Sequence, residues 1–270
     1  MMGAEKHRGL YTIEELRIGD RVPSILVRRG RKSQPVIIYI HGAFLWKEYD
    51  LSLILRFADR GLTILSIDAV QHGKRIPFVA KGYMELFKNS EVNFPRTETS
   101  IFIETAKDIP EIIDYLQANE GIENIGIAGY SMGGFIALVS ATLDKRIKAV
   151  TSFGAGGDWR HLFERSSFPK LMGFKEETRR QTTDEIAQLV SEWDPLNRVH
   201  KMPPCAILLL NGKMDSIVPK ECAERLHEAM KPHYREFPER LRLREYPCGH
   251  EVTREMEREA AKWLTRNLSS

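Results

Sequence analysis

Three residues of this 270-residue chain have types and an order that favour nucleophilic chemistry. Ser131 lies in the stretch "GYSMGG", Asp215 follows in "GKMDSIVP", and His250 comes last in "CGHEVT". A serine hydroxyl becomes an effective nucleophile when a histidine takes its proton, and a carboxylate must orient that histidine. Ser131, Asp215 and His250 are therefore candidates for a catalytic triad.

The sequence around Ser131 predicts a sharp turn between a strand and a helix. The apolar run "IGIAG" precedes the serine, and "MGGFIALVSATL" after it has apolar residues at helical spacing. A serine in such an elbow points above its strand toward the helix N-terminus, where free amides favour negative charge. Gly129 and Gly133 remove the side chains that would collide in so tight a turn. We therefore favour a nucleophile over a serine in an ordinary glycine turn.

Asp215 and His250 each follow a predicted strand, "CAILLLN" and "RLRLREY" respectively. The carboxyl ends of parallel strands meet at one edge of a sheet, where ligands bind. Asp68 also follows a strand, but it precedes Ser131 in the chain. Asp194 lies in a segment interpreted as an insertion. Asp215 is therefore the predicted acid and His250 the predicted base.

Two backbone amides are predicted to form an oxyanion hole, which stabilises negative charge on a substrate carbonyl oxygen. One belongs to Met132, directly after the serine. The other belongs to Ala43, in the loop "HGAFLWKEY" that follows the strand "VIIYI", with Phe44 as the alternative donor. His41 is expected to hydrogen-bond the backbone of this loop without titrating in catalysis.

The elements that must position these residues follow an alternation of strands and helices. Two leading strands meet at Gly19-Asp20, a tight-turn pair, and helices are predicted over 51–59, over 101–116 and after Ser131. The later predicted strands cover 36–40, 62–67, 125–129, 147–153, 205–211 and 240–246. Such alternation indicates an α/β fold, a mostly parallel sheet of about eight strands flanked by helices. The two leading strands are expected to pair antiparallel, and the arginines of the last strand are typical of a sheet edge.

Two stretches, 74–98 and 155–193, do not fit the alternation and are interpreted as insertions. The chain is predicted to be a single domain over 1–270, with a small helical cap inserted at 155–200. Phe44, Trp159 and Phe163 are the predicted substrate contacts. The other apolar side chains of the insertions either line the same pocket or pack the insertions against the core: Phe78, Phe168, Met172 and Phe174.

Composition excludes several classes of protein. The chain is 42% hydrophobic and 29% charged, and 40 basic residues against 37 acidic ones leave a net charge of +3. The basic cluster "RRGRK" at 28–32 suggests a solvated turn more than an anion-binding patch.

No secretory signal, membrane span, phosphate-binding loop, dinucleotide fingerprint or metal-ligand cluster is recognised. We therefore expect a cytoplasmic protein without cofactor or metal, and without a nucleic-acid or membrane partner. The oligomeric state is not indicated.

Five motifs occur in a characteristic order: "YIHGAF", "SIDAVQHGKR", "GYSMGG", "LLLNGKMDSIVP" and "CGHEVT". By these motifs the chain resembles the α/β-hydrolase superfamily, and within it the small bacterial carboxylesterases related to dienelactone hydrolase and the prolyl oligopeptidase catalytic domain. Many relatives carry an aromatic residue where this chain has Ala43, and dienelactone hydrolases have cysteine in place of Ser131.

The resemblance implies that Ser131, Asp215 and His250 form a triad in a serine hydrolase that cleaves small-molecule esters with short acyl chains, through an acyl-enzyme intermediate. A peptidase, amidase or lactonase with the same triad is the alternative. A non-catalytic binding protein of the same fold is a further one.

Overall fold

The chain forms an eight-stranded sheet with helices on both faces in a computed structural model, which describes residues 10–30, 35–76, 94–171 and 184–268. The strands are β1 (Tyr11–Ile18), β2 (Val22–Arg29), β3 (Val36–Ile40), β4 (Thr63–Ile67), β5 (Ile125–Tyr130), β6 (Ile147–Phe153), β7 (Ala206–Gly212) and β8 (Leu241–Tyr246). The helices of the described residues are α1 (Leu51–Ala58), α2 (Phe94–Glu120), α3 (Met132–Ala141), α4 (Trp159–Arg165), α5 (Phe168–Leu171), α6 (Asp184–Trp193), α7 (Glu221–Met230) and α8 (Arg254–Leu268). Short 3₁₀ segments cover Gly73–Arg75, Pro195–Lys201, Lys231–Tyr234 and Pro238–Arg240.

The strand order across the sheet is β1-β2-β4-β3-β5-β6-β7-β8. β1 and β2 pair antiparallel, β2 also pairs antiparallel with β4, and the pairs from β4 to β8 are parallel. The predicted mostly parallel sheet and its antiparallel leading strands are therefore confirmed. β8 lies at an edge of the described sheet, as its alternating arginines predict.

The sheet separates two hydrophobic clusters. Helices α2 and α3 cover one face, where Phe102 stacks on Phe135 with ring centroids 5.1 Å apart. Helices α1 and α8 cover the other face with side chains such as Phe57 and Trp263. The central strands are buried on both faces, which explains why they read as unbroken apolar runs rather than as alternating patterns.

Helix α2 is longer than the sequence pattern predicts. The periodic part, 101–116, covers only the middle of a 27-residue helix that begins within the predicted insertion 74–98. Its first turns, "FPRTETS", are mostly polar, so they carry no apolar period that would distinguish a helix from a loop. Glu98 therefore belongs to a helix and not to an irregular insertion.

The basic cluster at 28–32 is only partly a solvated turn. Arg28 is largely buried and pairs with Glu14 at 2.6 Å and Glu120 at 3.3 Å, which ties β2 to β1 and to the end of α2. Arg29 pairs with Asp59 at 2.6 Å. The interpretation of Arg28 as solvated is wrong, because the side chain is buried. The two ion pairs compensate the loss of its hydration. Residues 31–34 lie outside the described residues.

The predicted cap region is helical where the structure describes it. Helices α4, α5 and α6 fall within 155–200, and the 3₁₀ segment Pro195–Lys201 begins in this range and ends one residue beyond it. Phe78, Met172 and Phe174 lie outside the described residues, as do residues 77–93 of the first insertion. The domain limits 1–270 and 155–200 stay predictions. None of the helices in the described ranges is long and apolar enough to span a membrane.

Candidate active site

Ser131 occupies a strained turn between β5 and α3. Its φ of +53° and ψ of −116° lie in a region that a side chain disfavours. Two backbone hydrogen bonds hold this conformation: the Ser131 amide donates to the Phe153 carbonyl at 2.7 Å, and the Gly134 amide donates to the Ser131 carbonyl at 2.8 Å. A strained residue that joins the end of a central strand to the start of a helix is typical of a nucleophile elbow.

Gly129 and Gly133 allow the chain to pass through this turn. A Cβ atom on Gly129 would lie 2.2 Å from the backbone carbon of Gly133. A Cβ atom on Gly133 would lie 2.0 Å from the carbonyl oxygen of Ile40, at the end of β3. Both obstacles are backbone atoms, so neither can move aside as a flexible side chain would. The two glycines therefore let α3 begin directly against the sheet.

The side chains of Ser131, His250 and Asp215 form a hydrogen-bonded chain. Nε2 of His250 lies 2.8 Å from Ser131 Oγ, and Nδ1 lies 2.7 Å from Asp215 Oδ2. Asp215 also accepts hydrogen bonds at 2.9 Å from the amides of Ile217 and Val218 through Oδ1. An ionised carboxylate can only accept, so Nδ1 of His250 carries the proton and Nε2 accepts from the serine hydroxyl. This arrangement can draw a proton from Ser131.

Tyr130, which the sequence reasoning did not single out, supports the histidine. Its hydroxyl donates to the backbone carbonyl of His250 at 2.8 Å, and the two ring centroids are 5.1 Å apart. Burial raises the pKa of Tyr130 well above its ordinary value, so the hydroxyl remains a donor at every physiological pH. Its position next to Ser131 in "GYSMGG" is the only signal in the sequence that could have identified it.

His41 anchors the loop that follows β3. Its Nε2 accepts from the Ala69 amide at 3.2 Å, so its Nδ1 carries the proton and donates to the Gly42 carbonyl at 2.8 Å. Burial lowers the pKa of His41 to about 4. The predicted bond from His41 to the loop backbone is confirmed. His72 lies beside it with ring centroids 5.3 Å apart, and burial lowers the pKa of His72 to about 3.

Ala43 and Met132, the predicted oxyanion-hole residues, lie on the wall of the same cavity as Ser131. The Leu45 amide donates to the Gly42 carbonyl at 3.3 Å and closes the turn that carries Ala43. Phe44, the alternative donor, has a φ of +65° and packs against Phe168 with tilted rings whose centroids are 5.6 Å apart. Ala43, in the loop after β3, and Met132, at the start of α3, thus line the cavity that contains Ser131, and their role as oxyanion donors stays a prediction.

This cavity measures about 420 Å³, counted with its opening to solvent. Most of its wall is apolar and comes from α2, α3 and the predicted cap: Phe102, Phe135, Leu162, Phe163 and Phe168. Glu98, on the first turns of α2, is the one acidic side chain among the described lining residues, and only 5% of its surface is exposed. Sequence reasoning missed Glu98 because the segment that holds it was interpreted as an insertion.

The predicted substrate contacts separate into two groups. Phe163 lines the cavity, and Phe44 contacts Phe168, which also lines it. Trp159 is fully buried and is not part of the cavity wall; it packs edge-on against Phe102 with centroids 5.3 Å apart. Sequence could not separate Phe163 from Trp159, because both lie on α4 and only their packing differs.

Asp194 and Asp68, which the sequence analysis did not choose as the acid of the triad, hold loops together. Asp194 accepts from the amides of Asp158, Trp159 and Leu196 at 2.6 to 3.0 Å and so fixes the start of α4, while burial raises its pKa to about 6. Asp68 is fully buried and accepts from the amides of Lys47 and Lys74 at 2.9 Å. Both carboxylates have a structural explanation.

The described residues contain no group of three His, Cys, Asp or Glu side chains that could hold a metal ion. All three cysteines, Cys205, Cys222 and Cys248, are buried free thiols. Burial raises the pKa of Cys248, which lies two residues before His250, so this thiol is poorly suited to act as a nucleophile.

Comparison with known proteins places the chain in a family. The model of the prolyl oligopeptidase family matches residues 103–269. The chain is 23% identical over 241 residues to YitV of Bacillus subtilis, covering 88% of this chain and 91% of that one. It is also 23% identical over 207 residues to the esterase YjfP of Escherichia coli, covering 74% and 77% of the two chains.

Among solved structures, TT1662 from Thermus thermophilus is similar in fold, with a TM-score of 0.76 and 21% sequence identity. The superposition covers 97% of this chain and 99% of that one. The predicted superfamily and branch are confirmed by the family match together with this likeness in fold. The chain belongs to the prolyl oligopeptidase family and is a hydrolase of the α/β-hydrolase fold.

Proposed function

We propose that this hydrolase cleaves small-molecule carboxylic esters with short acyl chains, using Ser131 as nucleophile, His250 as general base and Asp215 as orienter. The observation that carries the proposal is the hydrogen-bonded chain, with 2.8 Å from Ser131 to His250 and 2.7 Å from His250 to Asp215. Three side chains from the ends of β5, β7 and β8 would not form this chain by ordinary core packing. Its proton-transfer geometry is the one that acyl transfer requires.

The first half of the reaction forms an acyl-enzyme. Ser131 Oγ attacks the ester carbonyl carbon while its proton passes to Nε2 of His250. The resulting imidazolium is stabilised by Asp215, which is itself held by two backbone amides. Negative charge on the former carbonyl oxygen is stabilised by the amides of Ala43 and Met132. The tetrahedral intermediate collapses when His250 returns its proton to the leaving alkoxide, and the alcohol departs.

The second half regenerates the enzyme. A water molecule donates a proton to His250 Nε2 and attacks the acyl carbon, and the same two amides stabilise the second tetrahedral intermediate. His250 then protonates Ser131 Oγ as the carboxylic acid leaves. His250 takes up a proton and returns it in each half of the reaction, so its ring must keep the same position throughout. The hydrogen bond from the Tyr130 hydroxyl to the His250 carbonyl helps to hold it there.

The aromatic lining of the cavity supports short acyl groups. Its described wall carries aromatic side chains from three helices, among them Phe102, Phe135 and Phe163. Each methylene group buried there contributes about 0.8 kcal/mol until the chain reaches the wall. We therefore expect activity to rise from acetate esters, to peak near butyrate and to fall for longer chains.

Peptide or amide hydrolysis is the second candidate, because the matched family takes its name from a peptidase. The same triad serves both reactions, but an amine is a poorer leaving group than an alkoxide. A peptidase must also anchor the substrate chain on both sides of the cleaved bond. The relative YjfP is named only as an esterase, and its name does not say which ester it hydrolyses.

A panel of p-nitrophenyl esters from acetate to palmitate, matched with p-nitroanilides of the same acyl groups, tests the proposal. The expected result is a maximum of kcat/KM near butyrate, with anilides hydrolysed far more slowly. Palmitate cleaved as efficiently as butyrate, both below the concentration at which palmitate esters aggregate, would contradict the short pocket. Anilides cleaved as well as esters would favour the peptidase.

A further inference from the structure

Glu98 places a carboxyl group on the wall of a largely apolar cavity. It lies on α2 one turn before Phe102, and both side chains line the cavity that contains Ser131. Only 5% of the Glu98 surface is exposed. The remaining described lining residues are apolar or carry a hydroxyl group, and none of them is basic. Among the described residues of this wall, Glu98 is thus the one ionisable side chain that a substrate acyl group would meet.

A carboxylate in such surroundings discriminates strongly between charged groups. The low dielectric of an apolar wall strengthens attraction to a cation and repulsion from an anion. An ammonium group brought into the cavity would lose its water, and only an acceptor of opposite charge compensates that loss. Glu98 already takes part in a contact within the protein. Because a carboxylate has about four acceptor positions, a substrate donor can share it or displace that contact.

We propose that Glu98 is a specificity-determining residue that selects acyl groups bearing an ammonium or other hydrogen-bond-donating group and rejects anionic acyl groups. This inference rests on the proposed function and deepens it, because it names the chemistry of the acyl group. The aromatic wall receives the carbon chain of the acyl group, and Glu98 receives its donor.

Three methyl esters test this preference with the full-length chain at neutral pH. Methyl 3-aminobutanoate carries an ammonium group, methyl 3-methylbutanoate has a methyl group in its place, and monomethyl succinate carries a carboxylate. Acid release in a pH-stat gives kcat/KM for each. The decisive quantities are the ratios of the cationic and anionic esters to the neutral ester, because intrinsic reactivity cancels when variants are compared.

In Glu98→Gln, which keeps the shape but loses the charge, the cationic ratio should fall at least about tenfold, and the anionic ratio should rise. Glu104→Gln is the matched control. Glu104 lies on the same helix, is 55% exposed and pairs with Lys107, so both ratios should stay at the wild-type values. Glu98→Asp keeps the charge and should keep the sign of both preferences.

A merely structural effect of Glu98 would move both ratios in the same direction or leave both unchanged, and either result overturns the inference. In these cases cleavage of the neutral ester still supports the proposed esterase. If no ester of the three or of the p-nitrophenyl panel is cleaved, the proposed function fails, and the inference fails with it.

Discussion

At the scale of single residues, the candidate site depends on a carboxylate whose surroundings fix it on both sides. Asp215 has a fully buried side chain, with one oxygen on His250 and the other on the amides of Ile217 and Val218. Its orientation is therefore set by the backbone of its own loop. We therefore expect the charge of the Asp215 side chain, rather than its size, to determine its effect on the proposed base His250.

Asp215→Asn should leave the fold intact and lower kcat by about three to four orders of magnitude. An amide in place of the carboxylate can turn its NH₂ toward Nδ1, which favours the tautomer that cannot accept the Ser131 proton. Steady-state hydrolysis of p-nitrophenyl butyrate measures the effect, with circular dichroism as a check on folding. Met214→Ala serves as control, because Met214 is 68% exposed and adjacent to Asp215. Near-wild-type activity in Asp215→Asn would remove Asp215 from the mechanism.

Single residues were predictable where a motif or a strand end marks them. Ser131, Asp215 and His250 each follow a strand, so the sequence predicted which edge of the sheet they share. Tyr130 and Glu98 could not be predicted in this way. Tyr130 lies inside a motif whose chemistry is assigned to Ser131, and Glu98 lies in the polar first turns of a helix. Only the fold reveals that they reach the same site.

At the scale of elements, helix α4 shows how packing divides side chains of one type. Phe163 and Trp159 lie one turn apart, yet Phe163 forms part of the cavity wall while Trp159 is buried against Phe102. Asp194 fixes the start of this helix through the amides of Asp158 and Trp159. The helix therefore presents one aromatic ring to the cavity and uses the other as its attachment to the core.

Phe163→Ala and Trp159→Ala should consequently have different effects. Shortening Phe163 enlarges the cavity, so kcat/KM for octanoate relative to butyrate should rise about tenfold, as expected for two or more newly buried methylenes. Trp159→Ala should leave that ratio unchanged and lower the free energy of unfolding by about 3–5 kcal/mol. An acyl-length panel and urea unfolding of both variants measure the two effects. A shift in acyl preference from Trp159→Ala alone would reverse these assignments.

The strands were predicted to within about one or two residues because their apolar runs are short and bounded. Helix α2 was underestimated because its polar ends have no apolar period, although its middle part was predicted. Arg28 was misinterpreted for a related reason. A cluster of charged residues around a glycine is typical of a turn, whereas the partners of Arg28, Glu14 and Glu120, are distant in sequence. An ion pair between residues far apart in the chain produces no local sequence pattern, so it cannot be predicted from the neighbouring residues.

At the scale of the whole molecule, the sheet brings together residues that are far apart in the chain. Ser131 and His250 are 119 positions apart, and the parallel pairing of β5 through β8 places both at one edge. The neighbouring loop after β3 is held by the buried His41, which bonds the Gly42 carbonyl and the Ala69 amide and lies beside the buried His72. Stability of the whole fold is therefore linked to the protonation of histidines that support the site.

The free energy of unfolding should fall as the pH is lowered from about 6.5 toward 4. In this window the unfolded chain protonates His41, while burial keeps the native His41 neutral down to a pKa of about 4. The unfolded state then binds more protons, so acid favours it, by about 3 kcal/mol for this one residue.

Urea unfolding at several pH values, followed by circular dichroism, measures this slope. His41→Asn should make it shallower, whereas His233→Asn, at an exposed position, should not change it. An identical slope in His41→Asn and wild type would show that His41 does not carry this pH dependence.

The most direct measurement is the labelling of the nucleophile. The wild-type chain is treated with a fluorophosphonate, digested, and mapped by mass spectrometry, while Ser131→Ala is treated in parallel and assayed on p-nitrophenyl butyrate. We predict one adduct per chain, on Ser131, together with loss of both the adduct and several orders of magnitude of activity in the folded Ser131→Ala variant. An adduct on another residue, or esterase activity retained in folded Ser131→Ala, would contradict the assignment of Ser131 as the nucleophile.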